Sequence, residues 1–411
     1  MTFEEAKSLL EKKNQLQVLT YYEELSSDEK ESLLKQVGEL DWKLLDKITN
    51  GKERKEEVVE KEIEPLPALN LDAIKDRESE YRAAGLEALS EGKCAAVLLA
   101  GGMGTRLGFD GPKGTLPIGE ERELYLFEQL VENLKVVVSQ AGRSIPFYIM
   151  TSEKNDADTR TFFEEHNYFG YSKEDVHFFI QEMAAAVDYK GKLLMEEKGR
   201  LATSPNGNGG WFSSLAKAGL LEDLHERGVE WINIFGVDNP LQKMCDPVFL
   251  GATILSGCQS GSKVVRKNDP HEKMGVVCRE NGQPSVIEYY ELSEEMANAK
   301  DSNGILTYGF GVILNYLFRV DRLEEIMGND LPVHIVEKKI PYIDENGCLI
   351  KPEKENGYKF ETLVVDMVRL MDDTVPFEVV REEEFAPIKN LHGVDSLDSS
   401  RELMKKAGIR L

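Results

Sequence analysis

Two cations, Arg106 and Lys113, follow a cluster of glycines in the stretch 95–119, AAVLLAGGMGTRLGFDGPKGTLPIG. These residue types in this order suit a nucleoside triphosphate. Gly101, Gly102 and Gly104 let backbone N–H groups approach phosphate or base where a Cβ would obstruct, and the cations meet phosphate charge. Spacing decides which kind of phosphate loop this is. A Walker loop needs Gly-Lys-Ser/Thr opening a helix, whereas Pro112 precedes Lys113 and Gly114 follows it. A dinucleotide fingerprint needs G-x-G-x-x-G, and Leu107 stands where the third glycine belongs. What remains is G-G-x-G-T-R-L-G followed, three residues on, by P-K-G.

Asp238 is the metal candidate. It ends the apolar run 231–237 (WINIFGV), where a hard carboxylate suits Mg²⁺, an ion that bridges phosphate oxygens and keeps several waters.

These groups need a scaffold that brings them to one edge. The run 95–100 is short, uninterrupted and apolar, as a strand buried on both faces of a parallel sheet would be, and open α/β sheets place function at the carboxyl ends of such strands. From Cys94 onward strand-like and helix-like patterns alternate, the mark of an α/β sheet. Strands are expected at 146–151, 176–180 and 231–237, with helices at 126–138, 156–166 and 219–228. Short β-like runs follow at 263–267, 275–278 and 286–291. Residues 2–50 carry helical spacing, with Phe3, Ala6, Leu9 and Leu10 on one stripe and Leu33, Leu34 and Val37 on another. Ser27 is expected to cap the second of these helices, and the whole region to pack on the domain without touching substrate. The charged run 52–64 reads as a solvated linker, and helical periodicity returns at 71–89.

Composition narrows the function. A formal charge of −24 over 411 residues argues against general nucleic-acid binding, so phosphorylated substrates must meet a local cluster of cations. Five cysteines without a C-x-x-C pair suit reduced thiols better than a disulfide framework or a zinc site. No apolar stretch reaches the length of a membrane span, and the N-terminus, MTFEEAKSLL, is unlike a secretory signal. A cytoplasmic protein is expected.

The glycine string with its P-K-G resembles the signature of nucleotide-sugar pyrophosphorylases. Further blocks in family order include HNYFG at 166–170, QEM at 181–183, SPNGNGG at 204–210, VDN at 237–239, KVV at 263–265, EYYE at 288–291 and REEEFAPIKN at 381–390. Together they make the chain most similar to the eukaryotic-type UDP-N-acetylhexosamine pyrophosphorylases, within the wider UDP-sugar pyrophosphorylase group. The resemblance implies an α/β, Rossmann-like (GT-A-like) nucleotidyltransferase with a mixed sheet flanked by helices, an N-terminal helical segment and a short C-terminal segment. The regions would be 1–90, helical with the charged linker; 91–345, catalytic; and 346–411, contributing Lys359.

It also implies roles. Gly101, Gly102, Gly104, Thr105 and Gly207 would surround the nucleotide, with the Gln181 amide reading uracil. Arg106 and Lys113 would hold phosphates, Lys359 would reach the α-phosphate, and Lys263 would join the cations. Asn208, Gly275 and Glu288 would hold the sugar, and Asp238 the Mg²⁺; Glu361 and Asp366 match family positions without an assignable role. One departure stands out: ungapped matching from Glu288 puts Gly309-Phe310-Gly311-Val312 where the N-acetylhexosamine enzymes carry Asn-Ala-Gly-Asn, so Val312 replaces an asparagine that contacts the sugar.

The implied reaction is UTP plus a sugar 1-phosphate giving a UDP-sugar and pyrophosphate, with N-acetylglucosamine 1-phosphate as the expected sugar and glucose or galactose 1-phosphate, with broad specificity, as the alternative. A non-catalytic UDP-sugar-binding regulator is the reading from another class; the presence of Arg106, Lys113, Asp238 and Lys359 together counts against it.

Overall fold

The computed structural model describes residues 1–51, 62–327 and 331–411. The chain is mixed α/β and divides into two compact units, each assembled from separate stretches of sequence. One comprises Met1–Glu60, Glu182–Gly210 and Leu331–Leu363; the other comprises Lys61–Gln181, Trp211–Asp330 and Val364–Leu411.

The larger unit is built on a central mixed sheet of ten strands. In chain order these are β1 (Ile63–Pro65), β2 (Cys94–Leu99), β3 (Phe147–Thr151), β4 (Val176–Ile180), β5 (Trp231–Gly236), β6 (Ser260–Arg266), β7 (Val276–Glu280), β8 (Gln283–Ile287), β9 (Phe310–Arg319) and β10 (Thr374–Glu378). β5, β2, β3 and β4 run parallel side by side. β2, β3 and β5 are buried along their whole length, which is why their sequences are apolar without alternation. The helices Leu126–Ala141 and Asp156–Glu165 make the crossovers between β2 and β3 and between β3 and β4. β9 pairs antiparallel with both β5 and β6. Opposite β6 its register shifts between Ser262 and Val264, and Leu314 takes a left-handed φ of 53°, so the strand bulges beside the end of β5.

In the smaller unit the helices Phe3–Lys12 and Ser27–Glu39 bury Ala6, Leu10, Leu33 and Val37 against Val187, Leu201 and Phe360. Buried Gln15 ties the N-terminal helices to residues 191–193, donating to Gly191 O at 2.8 Å and accepting from Leu193 N at 2.9 Å. Gly357–Glu361, the strand that carries Lys359, pairs with His334–Lys338 and with Val187–Asp188.

Three expectations need correction. Ser26, not Ser27, caps the second helix: its Oγ accepts from Glu29 N at 3.4 Å while Glu29 accepts from Ser26 N at 2.8 Å, the reciprocal box that S-x-x-E spacing builds. The strand expected at 286–291 stops at Ile287, and 288–291 is a turn in which Glu291 N donates to Glu288 O at 2.9 Å. Of the charged linker, 52–61 lies outside the described residues; Ile63–Pro65 joins the sheet as β1, antiparallel to β7.

Candidate active site

The glycine loop leaves β2 and closes on itself. Met103 bridges Pro112, Gly104 N donates to Gly111 O at 2.9 Å, and Lys113 N donates to Gly102 O at 3.0 Å. That closure carries Lys113 back to the strand end. A buried side chain that sequence reasoning did not single out holds the loop to β3: Asn155 donates to Ala100 O at 2.9 Å and Gly102 O at 3.3 Å, and accepts from Ser152 N at 2.8 Å. A Cβ on Gly101 would stand 2.9 Å from the Gln181 Oε1, so these two expected nucleotide contacts meet. Gln181 is buried and fixed by its N–H to Thr151 O at 2.8 Å. Gly102, Thr105 and Arg106 are exposed, and a Cβ on Gly102 would meet nothing within 4 Å. Gly104 is glycine for packing, because a Cβ would press on the Phe109 ring at 2.6 Å.

Lys113 faces Asp238 across the ends of β2 and β5, with Nζ 3.9 Å from Oδ2. Burial holds the Lys113 ammonium below the usual lysine range; Asp238 opposes this, while Lys389 and Arg106 add like charge. Lys389 was not among the candidates, because nothing in the string FAPIKN separates it from a solvated surface lysine. It arrives through Asn239, which is buried beside Asp238: its amide donates to Glu384 O at 2.6 Å and accepts from Ala386 N at 3.0 Å. Ile388 N donates to Asp238 O at 2.8 Å, so the segment 384–388 is fastened along the end of β5.

Asp238 and Lys389 line a cavity of about 570 Å³ together with Gly275, Val312, Leu314 and Phe385. Val312 N donates to Gly275 O at 2.9 Å, and a Cβ on Gly275 would stand 3.5 Å from both Glu288 Oε1 and Val312 Cγ2. The three expected sugar contacts of this unit therefore lie side by side, with Gly275 and Val312 lining the cavity.

Gly207, Asn208 and Lys359 belong to the smaller unit. Gly207, at φ 86°, sits where a Cβ would be 2.1 Å from Thr362 O, and Gly209 N donates to that same carbonyl at 2.9 Å. The N-G-N-G-G turn thus packs on the residues that follow the Lys359 strand.

Lys263, expected among the phosphate cations, is fully buried and spends its ammonium protons inside the protein. It donates to Lys243 O at 3.0 Å, Asp246 Oδ2 at 3.0 Å and Glu384 Oε2 at 2.6 Å. With three donors and three protein acceptors, it has none left for a ligand.

No helix among the described residues is long and apolar enough to cross a membrane, and none of them form a group of three or more His, Cys, Asp or Glu that could hold a metal by themselves. The family described as "UTP--glucose-1-phosphate uridylyltransferase" matches residues 42–406. The chain is 37% identical to a UDP-N-acetylhexosamine pyrophosphorylase-like protein 1 of Xenopus tropicalis over 408 residues, 94% of this chain and 79% of that protein. It is 40% identical to the UDP-N-acetylglucosamine pyrophosphorylase of Saccharomyces cerevisiae over 367 residues, 85% of this chain and 76% of that one. Among solved structures it is similar to the uridine diphosphate N-acetylglucosamine pyrophosphorylase from Trypanosoma brucei in complex with inhibitor, with a TM-score of 0.81 and 29% identity, covering 95% of this chain and 82% of that one.

Proposed function

The chain belongs to the UTP--glucose-1-phosphate uridylyltransferase family, and from that membership we propose that it joins UTP to N-acetylglucosamine 1-phosphate, releasing pyrophosphate and a UDP-sugar. The observation that carries this reading is the group Arg106, Lys113, Lys389 and Asp238, which adjoins a cavity walled on another side by Gly275 and Val312. Phosphates and sugar need this kind of adjacency. The parallel order β5-β2-β3-β4, with the glycine loop at its carboxyl edge, supports a Rossmann-like, GT-A-like nucleotidyltransferase.

The sugar phosphate oxygen attacks the α-phosphorus in line, and the pyrophosphate leaves. The attacking oxygen is already anionic, so the protein needs neither a general base nor a covalent intermediate; its task is alignment and charge neutralisation. Gly101 and Gln181 position the base, with the loop residues Gly102, Gly104 and Thr105 of the same unit; the family resemblance implies a nucleotide contact for Gly207 of the smaller unit. Arg106, Lys113 and Lys389 of the larger unit hold phosphate charge, and its Gly275 and Glu288 hold the sugar; for Asn208 and Lys359 of the smaller unit, sugar and α-phosphate contacts are what the family resemblance implies. Asp238, a hard carboxylate facing Lys113 at the strand ends, would hold Mg²⁺. When bound, Mg²⁺ supplies neutralisation of phosphate oxygens. The free cysteines and the acidic composition support a cytoplasmic setting without a nucleic-acid partner.

A second reading has its own observation. Val312 lines the cavity with Met274, Ile313 and Leu314, an apolar wall that favours relaxed sugar selectivity extending to glucose or galactose 1-phosphate. The deciding experiment incubates the chain with UTP, Mg²⁺ and each of the three sugar 1-phosphates and follows pyrophosphate. Release with N-acetylglucosamine 1-phosphate supports the reading, and silence with every sugar overturns it.

A further inference from the structure

Lys263 lies on β6, buried, with two carboxylates and one carbonyl around its Nζ. Such an arrangement adds little net stability, because desolvating the charges offsets most of their attraction and apolar residues of similar volume do as well. What it does supply is a fixed geometry. Asp246 is anchored as the N-cap of the helix Pro247–Ser256, accepting from Val248 N at 2.9 Å, so Lys263 is held from one side by a helix end and holds Glu384 on the other.

Glu384 opens the segment that ends at Lys389. Its side chain goes to Lys263 at 2.6 Å, and its carbonyl goes to the Asn239 amide at 2.6 Å. Ala386 N and Ile388 N are taken by Asn239 and by Asp238 O at 3.0 and 2.8 Å. Lys389 itself is different: its side chain is 48% exposed and, among the described residues, its ion pair is to Asp395 at 3.5 Å. A lysine carries its charge on a flexible stem, so where that charge sits depends on how firmly the preceding backbone is held.

We propose that Lys263, bridging Asp246 and Glu384, is a positioning residue that sets the place of Lys389 beside Lys113 and Asp238. The inference rests on the reading that this cation group meets the phosphates of UTP. Lys263 then never touches substrate; it acts on the reaction through five residues of chain that are pinned at Glu384, Ala386 and Ile388. Asn239 belongs to the same device from the β5 side.

The test is a double-mutant cycle on the full chain, reading pyrophosphate release. Glu384→Gln keeps the shape and leaves Lys263 paired with Asp246, so the fold should survive. The variant Lys263→Met/Asp246→Asn/Glu384→Leu removes all three charges at once, with Asn keeping the N-cap, and serves where the first does not fold. Each is made with and without Lys389→Ala. In the wild-type background the clamp substitution should lower kcat roughly 10-fold, the scale of a small misplacement, and leave KM for the sugar 1-phosphate within about 2-fold. In the Lys389→Ala background the same substitution should change kcat less than about 2-fold, because the group it positions is gone. A full drop that persists without Lys389, or no drop with Lys389 present, overturns the proposal. A wild-type chain that releases no pyrophosphate overturns the functional reading and the inference with it, whereas an active wild type with additive effects defeats the inference alone.

Discussion

Lys113 and Lys263 are both withdrawn from water in the larger unit, and the protein treats them in opposite ways. Lys263 is surrounded by acceptors: burial alone would lower its pKa, but Asp246 and Glu384 outweigh that and raise it. Lys113 has one carboxylate 3.9 Å away, and among the described residues its Nζ makes no hydrogen bond. Burial depresses its pKa, and Lys389 and Arg106 deepen the depression. A buried charge fully met by the protein is architecture. One left short of counter-charge, beside further cations and a cavity, is a place for an anionic ligand.

The largest expected effect tests that contrast directly. Lys113→Met should lower kcat/KM for UTP by about 10²–10³-fold, the cost of removing one preorganised charge donor, with no loss of melting temperature, because an under-paired buried charge is removed as well. Lys263→Met should do the reverse first: it strands Asp246 and Glu384 and costs about 3–5 kcal/mol of stability. Urea unfolding and steady-state kinetics on both variants check this. Equal losses of stability would erase the distinction.

That distinction explains how far the sequence could be read. The glycine loop, Lys113 and Asp238 were legible because their chemistry is concentrated at strand ends, and buried parallel strands announce themselves as unbroken apolar runs. Lys263 was misread because a sequence shows a charge and not its partners, which here come from Lys243, Asp246 and Glu384. Lys389 was missed for the complementary reason: its place depends on hydrogen bonds made by Asn239, and no local pattern encodes them. Asn155 escaped likewise, since an asparagine after Thr-Ser-Glu-Lys reads as a turn residue. The end of β8 at Ile287 was obscured because Tyr289 and Tyr290 continue the β-favouring composition of Val286 and Ile287, whereas the Glu288–Glu291 contacts close the segment into a turn.

The glycines divide in the same way as the lysines. Gly114 is packed so that a Cβ would lie 2.1 Å from the Phe127 ring, inside the turn that presents Lys113. Gly114→Ala should therefore cost about 1–3 kcal/mol by overpacking and reduce activity with it. Gly102 faces open space, so Gly102→Ala should leave stability within about 0.5 kcal/mol while raising KM for UTP. Thermal unfolding alongside UTP titration separates the two, and a destabilised Gly102→Ala would contradict the assignment of that space to ligand.

A smaller effect is expected at the sugar wall. Val312 offers no hydrogen bond to an N-acetyl group, so Val312→Asn should sharpen preference for N-acetylglucosamine 1-phosphate over glucose 1-phosphate by the worth of about one hydrogen bond, roughly 0.5–1.5 kcal/mol. Ratios of kcat/KM for the two sugars measure it. A wild type already strictly selective, and unmoved by the substitution, would show that another group makes the contact.

The last effect moves along the pH axis without abolishing turnover. Phosphate is met by the ammonium form of Lys113, so kcat/KM for UTP should fall as pH rises through that group's folded pKa, below the ordinary lysine value of 10.5. Lys389→Ala removes one of the like charges that disfavour the ammonium form, so its alkaline limb should lie at higher pH than that of the wild type even though its maximal rate is lower. The stability sign runs the same way. A lysine whose folded pKa is depressed binds its proton less tightly in the native state, so the native state gains stability as pH rises from the folded pKa toward 10.5. Lys113→Met lacks that gain, and its stability advantage over the wild type should be greatest below the folded pKa and shrink across this window. A Lys389→Ala limb at the wild-type position or lower would mean that the two lysines do not share a field, and with that the contrast between a self-satisfied charge and a ligand-directed one would lose its electrostatic basis.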